Sequence, residues 1–178
     1  MHWLVFTFLT VFCWGLYGVM LHTGQLGMAD KNNGRYMAFL YVGIAYFIVA
    51  ILGPLLVLLK EGGRIDFWNY PSKGVSWSLV AGVLGAIGAL GVLLAFGAKG
   101  NPTVVMSIVF AGAPIVNALY ATAAHPPAGG WGSIKPQFWL GIVVAAIGGF
   151  VVSYYKPGPA PVKAPTGLAT TAPANLSR

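Results

Sequence analysis

Apolar residues fall into five long blocks along this chain, with polar residues gathered between them. The blocks are 3–21, 37–59, 75–98, 103–124 and 138–155. None of them holds an Asp, Glu, Lys or Arg. A helix needs about 20 mostly apolar residues to cross roughly 30 Å of hydrocarbon. The pattern predicts an all-α integral membrane protein, with five transmembrane helices in one bundle over residues 1–155. A disordered C-terminal tail follows over 156–178. That tail is rich in Pro, Ala and Thr and has too little apolar surface to bury.

The connections have their own logic. The first, 22–36, carries Asp30, Lys31, Asn32, Asn33, Gly34 and Arg35. The second, 60–74, is charged and holds Trp68 and Tyr70, aromatic anchors of the kind found at a membrane interface. The third is only Lys99-Gly100-Asn101-Pro102 and forces its flanking helices into an antiparallel hairpin. The fourth, 125–136, contains His125-Pro126-Pro127 and Trp131. The first block has no basic region before it and no small-residue cleavage site after it, so it reads as a retained helix.

Small residues recur inside the blocks. Gly82, Gly85, Gly88 and Gly91 return every third position, and Ala81, Gly85 and Ala89 every fourth. Gly141, Ala145 and Gly149 repeat the device in the last block. Such residues let helix backbones approach in lipid, either within the bundle or between subunits. Pro54 and Pro114 stand inside blocks two and four. Each frees a backbone carbonyl, which marks either a structural kink or a substrate site on a broken helix.

Composition sharpens the picture. Only 7% of residues are charged, 57% are hydrophobic, and the mean hydropathy is +0.77, which excludes an ordinary soluble domain. The net charge of +7 is scattered over every connection, without a cluster or an aromatic platform. It therefore points to anchoring of helix ends in the lipid bilayer, and no nucleic acid is expected as a partner. With the N-terminus on one side, that side holds Lys60, Arg64, Lys73 and Lys135. The other holds Lys31, Arg35, Lys99, Lys156 and Lys163. Four against five gives the positive-inside rule almost no bias to act on. Either one orientation is set by other means, or the chain inserts both ways and pairs as an antiparallel homodimer. The expected location is a cell membrane, the inner membrane of a bacterium.

Candidate chemistry is sparse. Cys13 is the only cysteine, so there is no thiolate metal site, and no cofactor or metal is expected. No paired carboxylates, HExxH or G-x-S-x-G motif occurs, and no span holds an ionisable acid, so no catalytic residues are assigned and an enzyme is not expected. What remains is uncharged. Trp14, Gly15 and Tyr17 in the first span, and Ser107, Pro114, Asn117 and Tyr120 in the fourth, are candidates for lining a substrate cavity. Asn117 either bonds the backbone freed by Pro114 or contacts a ligand. His22 and Gln25 flank the exit of span one, as vestibule residues or as interfacial caps.

Two stretches resemble a known family. The first span reads Phe12-Cys13-Trp14-Gly15-Leu16-Tyr17. The last two read GNPTVVMSIVFAGAPIVNALYATAAH and QFWLGIVVAAIGGFVVSYY. A Trp-Gly pair in the opening helix, a proline-centred fourth helix and a glycine-rich fifth are similar to one half of an EamA-type protein of the drug/metabolite transporter superfamily. The resemblance covers residues 1–155. It implies a bundle commonly built from two inverted five-helix repeats, and export or uptake of small metabolites around a central cavity. It also implies that Trp14, Gly15, Pro114 and Asn117 lie in the regions lining that cavity. The chain departs from the family in having one repeat, so a complete transporter would need a homodimer or a partner half. It also has Ala124-His125-Pro126-Pro127 where the family often has a glutamate. The small multidrug exporters, with four helices and a membrane carboxylate in the first, match less well. Two functions are therefore expected: a transporter of a small-molecule substrate, assembled from two halves, or an accessory subunit of a membrane complex.

Overall fold

The structure is a computed structural model and describes residues 2–63, 65 and 69–158. Its elements are α1 (His2–Gly27), α2 (Gly34–Phe47), a π-helical turn (Ile48–Leu52), α3 (Gly53–Lys60), α4 (Ser72–Gly97), α5 (Pro102–Ala124), a 3₁₀ turn (Trp131–Ser133) and α6 (Pro136–Tyr154). No strand occurs among the described residues. α2, the π turn and α3 run on as one span, Gly34–Lys60. Five helices are thus long and apolar enough to cross a membrane, which is compatible with a multi-pass membrane protein. Their outward faces are largely apolar, as they would be beside lipid. Trp68, Arg64 and Asp66 lie outside the described residues, as does the tail from 159.

Each span is close to the block that predicted it. The largest difference is in α1, which continues to Gly27. His22 and Gln25 therefore stand on a helix rather than in a connection. The turn that follows is locked by Asp30, whose carboxylate accepts from the backbone N–H of Asn32 and of Asn33, both at 2.9 Å. Those two bonds hold the Asp30 carboxyl below its ordinary 3.8. A lowered folded value means that the bonds stabilise the turn fully above pH 3.8 and are lost as pH falls through the lower value. The amide resonances of Asn32 and Asn33 should accordingly titrate with a midpoint below 3.8; a midpoint at or above it would contradict the bonding.

The α4–α5 connection is the tight hairpin expected. Lys99 takes a positive φ of 67°, and the Gly100 N–H reaches back to the Ala95 carbonyl at 2.8 Å. A Cβ at Gly100 would stand 2.7 Å from that carbonyl, so only glycine fits. Asn101 then opens α5, its Oδ1 accepting from the Thr103 N–H, with Pro102 in the first turn.

Pro54 breaks its span as expected. It cannot donate to the Ala50 carbonyl, and the turn just before it widens into the π form. Pro114 does not break α5, which stays one helix from end to end.

The core sits at one end of the bundle, where α1 and α4 end and α2 and α5 begin. Leu21, Val92, Leu93, Phe96 and Met106 form it, with Tyr17, Phe39 and Val42 packed alongside. On α4 the buried positions are 89, 92, 93 and 96, the i, i+3, i+4, i+7 pattern of a packed helix face. Toward the other end the helices separate. Among the described residues α3 packs only on the turn before it, and α6 only on α5.

The glycine rows are mostly open, which corrects the expectation of tight contacts inside the bundle. A Cβ at Gly82, Gly85, Gly88 or Gly91 would meet nothing within 4 Å. Steps of three turn the helix by about −60° each, so this row winds around α4 instead of holding one face. Only Ala89 of the four-spaced set is buried. On α6, Gly141 is likewise open, while Gly149 lies directly against Ala111 of α5.

Candidate functional site

The inner face of α1 carries three partly buried polar residues at the closed end of the bundle, Tyr17, His22 and Gln25. Tyr17, Gly18, Leu21, His22 and Gln25 occupy one arc of the helix, of about 140°. Gly18 is buried under the Met106 side chain, which is how α1 and α5 cross. His22 packs its ring edge-on against Phe96 of α4, at 5.2 Å and 70°. Tyr17 faces Tyr46 of α2 without a well-formed hydrogen bond between the two hydroxyls.

Three polar atoms on this face are buried and without a hydrogen-bond partner: Tyr17 Oη, His22 Nδ1 and Gln25 Oε1. Such an atom in an apolar surrounding costs free energy, and more so where the outer solvent is lipid. The hydroxyl can donate and accept, the imidazole nitrogen can do either, and the amide oxygen only accepts. The set therefore suits a small group carrying its own donors.

Arg35 stands beside this seam, in the first turn of α2. Its guanidinium lies across Gly97, where a Cβ would be 2.7 Å from a guanidinium nitrogen, and 5.2 Å from the ring of Tyr36. It thus faces the C-terminal end of α4, the negative end of the helix dipole.

The remaining predicted residues are distributed more widely. Trp14 packs against Tyr17 with the rings tilted, at 5.7 Å and 47°, and is 40% exposed. Gly15 is exposed, with open space around it. Ser107 is half-buried, and its hydroxyl donates to the Thr103 carbonyl at 2.7 Å. Pro114, Asn117 and Tyr120 are exposed on the far half of α5. Asn117 makes no hydrogen bond to the carbonyl freed by Pro114. Taking the Gly18–Met106 crossing as the common level, Asn117 lies about 16 Å along α5 and Trp14 about 6 Å along α1 in the same direction. Within one chain the two groups do not meet.

Tyr46 and Arg35 were not among the expected site residues. Tyr46 was visible as a hydroxyl inside an apolar block, and Arg35 as a charge just before one. An open groove lies elsewhere, between α3 and α4. Compared with protein-family models, with curated proteins and with solved structures, the chain matches none of them.

Proposed function

We propose that this chain is one half of an EamA-type transporter, moving a small metabolite or drug-like solute as a homodimer of five-helix halves. One observation carries the reading: Tyr17, His22 and Gln25 keep buried polar atoms unpartnered on one face of α1. Polar groups inside a membrane bundle are costly and commonly mark a solute pathway. A solute that donates hydrogen bonds would satisfy the Gln25 oxygen and the other two groups in passing. Asn117 and Tyr120, outward-facing in one chain, would then be supplied to the cavity by the second half.

A second reading, an accessory subunit of a membrane complex, draws on the open glycines of α4. Gly82 and Gly85 leave room for the backbone of another helix.

Proteoliposomes of the full chain, loaded with a mixture of amino acids, nucleosides and sugars, separate the two. Mass spectrometry of the medium is expected to show protein-dependent loss of one solute class from the vesicles, seen as its appearance outside. The double variant Tyr17→Phe, Gln25→Leu should slow that loss about tenfold, the effect of removing roughly one buried hydrogen bond of substantial strength. If folded protein releases no solute faster than empty liposomes, the transporter reading fails and the accessory subunit leads.

A further inference from the structure

We propose that the groove between α3 and α4 seats one anionic phospholipid, drawn from the leaflet on the side of the 60–74 connection. The groove is open, encloses about 650 Å³ and is walled by Pro54, Leu55 and Leu58 on α3 and by Gly74, Val75 and Ser78 on α4. It exists because α3 and α4, consecutive helices, do not pack on each other. The π turn immediately precedes Pro54, which lines the groove.

Its depth selects the occupant. The walls run from Leu58 back to Ala50 and from Pro71 on to Leu79. Each wall spans eight residue steps, about 12 Å at a helical rise. That is close to half of a hydrocarbon core of roughly 30 Å, so the groove ends near the midplane. A helix from a second copy would run through both leaflets, whereas a lipid occupies one. The lining is largely apolar, with Ser78 the polar side chain within the helical walls and Tyr70 beside the connection, close to an amphiphile's own gradient.

The charge at the mouth selects the headgroup. Lys60 closes α3 two residues beyond Leu58, and Lys73 lies in the first turn of α4 between Pro71 and Gly74. Both are exposed. Among the described residues of the connection and its flanks, Lys60 and Lys73 stand against Glu61, one net positive charge. Basic residues at this depth attract anionic headgroups.

The test uses the full-length protein in neutral detergent, stripped of lipid and offered equimolar phosphatidylglycerol and phosphatidylethanolamine of identical chains. Bound lipid is counted by native mass spectrometry. One phosphatidylglycerol per chain should be retained about fivefold over phosphatidylethanolamine, the factor for about one basic charge near the surface. Lys60→Gln with Lys73→Gln should erase the preference. Gly74→Leu, at a position where a Cβ meets nothing within 4 Å, should fill the groove and abolish tight retention while the chain stays folded. Ser78→Phe should do the same from one turn deeper. Equal retention of the two lipids, or unchanged retention by both filled variants, would overturn the proposal. So would a change in subunit number instead of lipid count on filling the groove, because a second copy would then be the occupant. None of these outcomes depends on whether the chain transports a solute.

Discussion

Gly149→Ala is expected to loosen the fifth span, and adding Ala111→Gly to restore it. Gly149 lies on Ala111, and a Cβ placed there would collide with the Ala111 methyl. The neighbour cannot yield by rotating, because a methyl has no rotamers; the two helices must move apart. Overpacking of this kind costs about 1–3 kcal/mol. The loss matters more here than its size suggests, because among the described residues α6 packs on no other helix than α5. In lipid there is no hydrophobic force to hold a helix whose packing has failed. The variant should show a lower unfolding midpoint in detergent and faster protease cleavage in the 125–135 connection. Moving the methyl from one helix to the other leaves the number of glycines unchanged and reopens the crossing. The double variant should therefore recover most of the stability, a strong pairwise coupling. Equal stability of Gly149→Ala and the unaltered chain would mean that the crossing is looser than described.

Much of this fold is written in where the charges are not. The five apolar blocks coincide with the five long helices, the pattern expected where a charge in mid-bilayer would be too costly to occur by accident. The ends were harder to place. α1 absorbs His22, Thr23 and Gln25 as further helical turns, with the Thr23 hydroxyl bonded back to Val19. Polarity signals the edge of the hydrocarbon, not the edge of the helix. The packing faces were harder still. Glycine at 82, 85, 88 and 91 marks where a helix can be approached, yet burial went to Ala89, Val92, Leu93 and Phe96. In a soluble protein an apolar face is a buried face, but in lipid an apolar face carries no such information. The candidate site was legible to the same degree. Tyr17, His22 and Gln25 stood out as polar residues, and their shared arc follows from helical spacing. That Asn117 and Tyr120 face outward could not be read, because α5 is apolar on all sides around them.

Leu93→Ala should produce the second large effect, and its size separates two contributions usually measured together. Leu93, on α4, is fully buried, 0% exposed, in the core cluster that it shares with Leu21 of α1 and Met106 of α5. In water a buried Leu→Ala change costs about 2–5 kcal/mol, the sum of a transfer term and a cavity term. For a chain unfolding within detergent or lipid, the transfer term nearly vanishes, since the unfolded helix keeps its side chains among hydrocarbon. The cavity term survives, at about 24 cal/mol per Å³ of residual void. If roughly 80 Å³ of side chain is removed and the site does not collapse, the loss is about 2 kcal/mol. Leu93→Met keeps the volume and should lose less than about 1.5 kcal/mol. Collapse is opposed by the Gly18–Met106 crossing, which already brings α1 and α5 into contact, so the void has little room to close. Reversible unfolding in mixed micelles gives the number. A loss near zero for Leu93→Ala would show that the helices slide together, and that this end of the bundle is no more fixed than the splayed one.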